Sequence, residues 1–532
     1  MGRFFALIGV ALGAGVGLVL LVLGNALGIW FLAVAGPLCA LGVYDIMQAR
    51  HTLWRNYPII SHMRWLFEGI RPEIRQYLIE SDADAFPFNR EQRSLVYQRS
   101  KNELQTIPFG TQMDVYAANY TFFSHSILPV HVDPSTLRTT VGGAACTQPY
   151  SISLFNVSAM SFGALSGNAI AALNRGAKMG GFAHDTGEGG ISPYHRANGG
   201  DIIWEIGSGY FGCRTSDGKF DAALFKEKAN DDQIKMIEIK LSQGAKPGHG
   251  GMLPGAKVSP EIAETRGVPV GVDCISPASH SAFSTPLGLV DFIAELRQMA
   301  NGKPVGFKLC VGHRREFMAI VKAMLERDCY PDFIVVDGKE GGTGAAPVEF
   351  TNSLGLPMRD GLHFVNMVLI GAGIRDRIKI GASGKIVSGA DMARAFALGA
   401  DWCNSARGFM FSIGCIQARA CHTNRCPTGV ATQDQRRQSG LHVGDKARRV
   451  ANFHGNTLLG FAEMVGAMGV TSPKQITLNM INFREPHLSG TSMVSLDTGQ
   501  LLRDDCPEEY AVHWRHSDPS TFRRHEPEAQ AS

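Results

Sequence analysis

The sequence predicts an α/β protein: a (β/α)8 TIM barrel preceded by an N-terminal transmembrane helical hairpin. Three observations carry that prediction. Short β-branched runs, each ending in a Gly-rich segment and followed by a helical stretch, recur roughly eight times in about 300 residues. Glycine makes up 61 of 532 residues, against a usual share of about 7%, and the excess falls largely just after these runs, which in a barrel is the face that carries active sites. Finally, Phe4 to Tyr44 runs 41 residues without Asp, Glu, Lys or Arg.

The hairpin comes first. As one helix the charge-free stretch would be roughly 60 Å long, twice the hydrocarbon core of about 30 Å, so two spans fit better. Asn25 and Gly28 mark the turn, giving spans near Phe4 to Gly24 and Gly28 to Tyr44. A small-xxx-small pair, Gly13 and Gly17, offers a packing surface between them. Arg3 precedes the hairpin and Arg50, Arg55 and Arg64 follow it. The positive-inside rule therefore predicts a two-pass protein of the cell (inner) membrane with both ends, and the catalytic domain, in the cytoplasm. A cleaved signal peptide has a much shorter apolar region.

Residues 1–48 are thus assigned to two transmembrane helices and 49–147 to a helical connector, on the apolar spacing of Trp65, Leu66, Ile70, Ile74, Tyr77 and Leu78. Residues 148–470 are assigned to the barrel. Its predicted strands are Ile152 to Val157, Ile202 to Ile206, Ile234 to Leu241, Val268 to Asp273, Pro304 to Leu309, Phe333 to Asp337, Ile378 to Ile380 and Trp402 to Ala406. Helices are expected at Pro286 to Ala300, Arg314 to Arg327 and Gly389 to Leu398; a doubly wound sheet is the alternative. Residues 471–532 form an extension ending in a mobile tail from Arg515. The formal charge is only +3, and no basic run interleaves with aromatics, so nucleic acid is not an expected partner.

Eleven cysteines in a chain read as largely cytosolic do not suggest a disulfide framework. Most look like small buried hydrophobes. Cys415, Cys421 and Cys426, spaced C-x5-C-x4-C, can converge on one metal centre. An iron–sulfur cluster, a zinc site completed by His422, and three inert cysteines all remain open from spacing alone.

The segment Gly414 to Asp434, GCIQARACHTNRCPTGVATQD, resembles the cluster-binding segment of the glutamate synthase FMN domain, and the likeness extends from roughly Asn156 to Ala451. That resemblance implies an FMN-binding (β/α)8 barrel with a three-iron, four-sulfur (3Fe-4S) cluster held by Cys415, Cys421 and Cys426. Ala159, Met160 and Ser161, in the loop after the first barrel strand, then lie against the flavin, though the loop could be an ordinary strand-to-helix turn. Lys308, on an otherwise apolar strand, is placed by the resemblance near the pyrimidine edge of the flavin, where a cation stabilises the reduced anion; snorkelling at a strand end is the plainer reading. Three late glycine loops fit a phosphate cradle built of backbone N–H groups: Gly341, Gly342, Thr343 and Gly344, then Gly384 and Lys385, then Ala406 and Arg407.

On the substrate side, Asp185 to Gly190 resembles the family's N-T-G-E-G-G, with Glu188 facing substrate, and Ser208 opens a second substrate loop. Gln243 to Gly255 resembles Q-G-A-K-P-G-E-G-G-Q-L-P-G. Lys246 and Arg266 then fall where the family binds the carboxylates of 2-oxoglutarate, a dianion that suits one point charge and one bidentate fork. Arg266 also has the simpler reading of closing a helix before Gly267. Two departures stand out: His249 replaces a Glu, with the capacity for proton transfer near neutral pH, and Met252 replaces a substrate-contacting Gln.

By resemblance the function is glutamate synthase-like: reduced FMN delivers hydride to 2-iminoglutarate, formed from 2-oxoglutarate and ammonia, with electrons arriving through the cluster. Glu188, Lys246 and His249 are the expected catalytic residues. Met1-Gly2 leads straight into the hairpin instead of presenting an N-terminal Cys nucleophile, so no glutaminase activity is expected. No dinucleotide fingerprint follows a soluble strand, which leaves ferredoxin or another separate donor, such as a membrane carrier, to supply electrons. The alternatives are an FMN/Fe-S oxidoreductase on another 2-oxo or amino acid, and a membrane-anchored electron-transfer subunit.

Overall fold

A computed structural model describes residues 2–83, 85–118, 120–483 and 495–522. The chain divides into two compact units between Arg90 and Glu91.

In the first unit, α1 (Phe5–Val22) and α2 (Leu27–Met47) pack as a hairpin and are each long and apolar enough to cross a membrane. The turn is built by Gly24, at φ +78°, and by Asn25, whose side-chain oxygen accepts the N–H of Leu27 at 3.0 Å. The helices touch at Gly17 and Gly28, where an added Cβ on Gly28 would sit 2.5 Å from the Gly17 carbonyl oxygen. Gly13 faces open space, so the close contact joins a glycine of one helix to a glycine of the other and does not use Gly13. Asp45, fully buried near the end of α2, accepts hydrogen bonds from His62 and from the Ile59 N–H. His62 begins α3 (His62–Ile74).

The second unit contains a closed barrel of eight parallel strands: β1 (Phe155–Val157), β2 (His184–Asp185), β3 (Ile202–Ile206), β4 (Ile234–Lys240), β5 (Val305–Leu309), β6 (Phe333–Asp337), β7 (Lys379–Ser383) and β8 (Trp402–Ser405). Closure is made by β8 on β1, with Asn404 paired to Asn156. Strands β3, β5 and β6 are buried at every residue, which is why they read as continuous apolar runs and do not alternate. Three crossover helices lie where expected, at Pro286–Met299, Arg314–Arg327 and Gly389–Ala397; Thr285 and Ser388 cap two of them, accepting the N–H groups of Gly288 and Asp391.

Three strand assignments differ from expectation, and two of them compensate in the count. Val268 to Asp273 is not a strand: Pro269 cannot donate to a ladder and Gly271 turns at φ +72°. It belongs to the long excursion between β4 and β5, whose only pairing among the described residues is Met252–Leu253 with Cys274–Ile275. The second barrel strand is instead His184–Asp185, two polar residues with no apolar signature. The predicted strand at Ile152 to Val157 splits, since Tyr150–Ser153 pairs antiparallel with Arg138–Val141 and only Phe155–Val157 enters the barrel.

Within the stretch read as a helical connector, helix covers Thr52–Asn56, His62–Ile79 and Arg90–Lys101. Beyond Lys101, residues such as Pro108, Pro129 and Gly142 favour extended and turn backbone, and Thr121–Phe123 pairs with Ile481–Phe483. At the other end, a helix at Glu508–Arg515 leads to the buried Ser517, whose hydroxyl donates to the Arg315 carbonyl. The rest of the expected tail, 523–532, lies outside the described residues.

Candidate active site

Apart from Lys308, which stands within β5, the residues singled out between Ala159 and Arg407 lie beyond the C-terminal ends of barrel strands, the face that supports catalysis in this fold. Glu188 follows β2, Ser208 follows β3, and Lys246, His249, Met252 and Arg266 occupy the excursion after β4.

Glu188 is wedged between glycines. An added Cβ at Gly207 or Gly251 would lie 2.9 or 2.8 Å from its atoms, so neither position admits a side chain without displacing the carboxylate. Its partner is Lys240, the last residue of β4, at 2.8 Å. Burial disfavours the Glu188 charge, but Lys240, Lys246 and Arg266 together outweigh it and hold the carboxyl down at about 2. Lys246 is 2% exposed, donates to the Gly250 carbonyl at 2.8 Å, and has its pKa lowered, first by burial and further by Lys240, against the opposing pull of Glu188.

Arg266 serves both of the roles read for it. It ends the helix Pro260–Arg266 ahead of the left-handed Gly267, and its guanidinium turns inward to donate to the Phe162 carbonyl at 2.9 Å while lying over the Phe211 ring. Among the described residues, neither Lys246 nor Arg266 has an ion-pair partner, and Lys240 pairs only with Glu188. Three cations therefore face one carboxylate.

The other predicted substrate residues sit less deeply. Ser208 donates its hydroxyl to the Pro277 carbonyl. His249 is half-buried, with Nδ1 2.9 Å from the Gly250 oxygen and its ring edge-on to Phe350. Met252 is 42% exposed. Sequence reasoning missed Lys240, which looks like a snorkelling strand end; its signal was a cation closing an apolar strand immediately before a glycine-rich loop.

Lys308 lies inside the barrel, ion-paired to Glu205 and 3.1 Å from Glu238. Burial works against its ammonium, but Glu205, Glu238, Asp185 and Asp337 outweigh that and raise its pKa. Burial in turn raises Glu238, Asp185 and Asp337 above the usual carboxylate range. The predicted flavin-facing cation is thus already compensated by carboxylates that the apolar strand pattern hid.

The three loops read as a phosphate cradle follow β6, β7 and β8. A Cβ at Gly342 or Gly384 would collide with Arg407 or Met358. Lys385 stands at φ +54°, its pKa lowered by burial and then by the neighbouring Arg407. Two adjacent cations among close-packed glycines fit a phosphate group. Across the mouth, Ala159, Met160 and Ser161 follow β1, where a Cβ on Gly187 would meet the Ser161 nitrogen at 2.8 Å.

The cysteine segment touches both of these regions. A Cβ on Gly344 would come within 3.2 Å of the Cys421 Cβ. The buried Lys257 ammonium donates to the carbonyls of Ala164 (3.1 Å), Cys421 (3.3 Å) and Ala431 (3.4 Å), and Gln433 donates to those of Gly163 and Leu165. Burial raises the Cys415 thiol to about 12, with Cys421 and Cys426 adding to the effect. Cys426 also pays a burial penalty, but hydrogen bonds from Thr428 and nearby backbone N–H groups outweigh it and lower its pKa. Charge on Cys421 or Cys426 disfavours ionisation of Cys415, and charge on Cys426 that of Cys421, so the three sulfurs act on one another. His422 is exposed. Three thiol donors in one segment suit a thiolate-bound metal centre.

The conserved region of glutamate synthase matches residues 125–471. The chain belongs to the glutamate synthase family. The glutamate synthase large subunit-like protein YerD of Bacillus subtilis (strain 168) is 38% identical over 484 residues, 83% of this chain and 92% of the relative. The archaeal-type glutamate synthase [NADPH] of Thermotoga maritima is 35% identical over 322 residues, and the match spans 60% of each chain. The glutamate synthase [NADPH] large chain of B. subtilis is 36% identical over 288 residues, 53% of this chain and 18% of that longer protein. The match to YerD therefore reaches well beyond the segment shared with these glutamate synthases.

Proposed function

We propose that this chain, a glutamate synthase-like oxidoreductase, converts 2-oxoglutarate and ammonia to L-glutamate, with FMN and a three-iron, four-sulfur cluster as cofactors. The observation that carries the substrate class is the excess of cation at the barrel mouth. Lys240, Lys246 and Arg266 outnumber Glu188 by three to one, which suits a dianion and penalises a neutral ligand.

In this reading Arg266 and Lys246 hold the two carboxylates, and Lys240 fixes Glu188. Ammonia condenses with the 2-oxo carbon, water leaves, and the resulting iminium carries a positive charge. Glu188, ionised at neutral pH, stabilises that charge and is a poor proton donor. Lys246, whose ammonium gives up its proton more readily than an ordinary lysine, is the better donor. FMN, when bound, supplies hydride to the imine carbon. Ala159, Met160 and Ser161 would lie against its ring, with Lys308 toward its pyrimidine edge; Gly341, Gly342, Thr343, Gly344, Gly384, Lys385, Ala406 and Arg407 would hold its phosphate. Cys415, Cys421 and Cys426 would hold the cluster, an entry point for single electrons from ferredoxin or a membrane carrier. The hairpin would anchor the chain in the inner membrane with the barrel in the cytoplasm.

Anaerobic reoxidation of the reduced, purified protein tests this. Flavin absorbance should return with 2-oxoglutarate plus ammonium and with neither alone; a colourless protein that releases no FMN on heating would refute the cofactor assignment. His249, hydrogen-bonded beside Lys246, favours a second reading, a different 2-oxo acid as substrate. A panel of 2-oxo acids in the same assay separates the two.

A further inference from the structure

We infer that α3 and its continuation to Ile79 lie flat in the headgroup region of an anionic lipid bilayer, an inference that rests on the reading of α1 and α2 as membrane spans. Met63, Leu66, Phe67 and Ile70 recur at helical spacing and continue through Ile74 to Tyr77, making one apolar stripe. Met63, Leu66, Phe67, Ile70 and Tyr77 are between 40% and 60% exposed. Arg64, Arg71 and Arg75 line one flank of that stripe.

What fixes this helix to a membrane surface is its first residue. His62 Nε2 lies 2.8 Å from Asp45 Oδ1, and the Ile59 N–H donates to the other oxygen of Asp45 at 2.9 Å. Asp45 stands two residues before the end of α2 at Met47, so α3 starts within a hydrogen bond of the end of a span. Trp54 stacks on His62 at 4.3 Å and lies tilted against His51 at 4.1 Å, with Trp65 edge-on to Trp54. Tryptophan clustered at the mouth of a span is characteristic of the lipid–water boundary. Five arginines, Arg50, Arg55, Arg64, Arg71 and Arg75, outnumber Glu68, Glu73 and Glu80, the last paired with Arg75 at 3.2 Å, and leave residues 48–80 with the positive charge that anionic headgroups attract. An amphipathic stripe, basic flank and aromatic collar, all tethered to a span, fit a bilayer surface better than a protein groove.

The test uses the full chain in nanodiscs of phosphatidylcholine and phosphatidylglycerol whose acyl chains carry bromine, a short-range quencher of tryptophan. Co-elution of the parent protein with the discs is checked first; failure there would overturn the anchor reading itself and this inference with it. Emission of a tryptophan added by Phe67→Trp, taken relative to the parent with its six tryptophans, should be largely quenched, while that added by Glu68→Trp should not. Joint Arg64→Gln, Arg71→Gln and Arg75→Gln substitution should lower the quenching at position 67 several-fold. Unquenched, red-shifted emission at position 67 would place the stripe in water, and unquenched, blue-shifted emission would place it under protein; either result overturns the inference. Quenching unchanged by the triple substitution would overturn its dependence on anionic lipid.

Discussion

Lys240 closes β4 and meets Glu188 at 2.8 Å, so removing its charge has two consequences. One of the cations facing the substrate dianion is lost, and Glu188 is released toward the ordinary carboxylate range of about 4.3. Lys240→Gln should cost about 1.5–3 kcal/mol of substrate binding, roughly a 10- to 150-fold rise in KM for 2-oxoglutarate. The sign of the pH effect follows. In the native protein the Glu188 ion pair is fully present above about 4.3 and fades only as pH falls toward about 2. The acid limb of activity should therefore move upward in Lys240→Gln, and an unmoved limb would argue against the pairing. Lys246 acts at the other end of the profile. Burial lowers its pKa, so affinity for the dianion should fall as pH rises through a value below that of an ordinary lysine. Lys246→Arg, charged at every accessible pH, should bind the dianion with no such alkaline loss; persistence of the loss would sink the assignment. Lys246 and Arg266 were legible because a long motif carries them. Lys240 was not, because its partner lies 52 positions away and the two meet only once the barrel closes.

Among the elements, β3, β4 and β5 together enclose a charge cluster that an apolar strand pattern conceals. Glu205 on β3 is register-paired with Glu238 on β4, and Lys308 on β5 reaches both. Removing the ammonium alone strands buried carboxylates, and Lys308→Met should cost about 3–5 kcal/mol in denaturant unfolding. Adding Glu205→Gln and Glu238→Gln should recover much of that loss, because the two carboxylates that ion-pair with the ammonium would then leave with it. A triple variant no more stable than the single one would show that the cage is not self-compensating. Strand legibility followed the same physics. Strands β3, β5 and β6 announce themselves through burial on both faces, whereas β2 is two polar residues whose burial comes from the barrel and not from their chemistry. The cysteine segment was legible as a motif, while its lacing to the loop after β1 by Lys257 and Gln433 was not, since the acceptors are backbone carbonyls that any sequence supplies. If Cys421 is a cluster ligand, Cys421→Ser should lower iron content and abolish the oxidised-cluster EPR signal, leaving flavin content as the control.

For the whole molecule, the division at Arg90 and Glu91 separates the work by position in the chain. Every residue assigned to flavin, cluster or substrate lies between Ala159 and Cys426, while the apolar hairpin lies wholly before Arg90. The helix Arg90–Lys101 belongs with the later unit: Tyr97 donates to the Cys415 carbonyl at 2.7 Å, and Arg99 reaches the Thr457 hydroxyl at 3.3 Å. A chain beginning at Ser81 keeps that helix and loses α1, α2 and α3 with their exposed apolar side chains. It should purify without detergent, retain stoichiometric flavin and iron, and reoxidise with the same substrate preference as the full chain. Beginning instead at Asn102 removes Tyr97 and its bond to the Cys415 carbonyl, so iron content should fall before flavin content does. A Ser81 chain that is soluble but empty of both cofactors would show that the N-terminal unit takes part in assembling the site, and the separation of roles would fail.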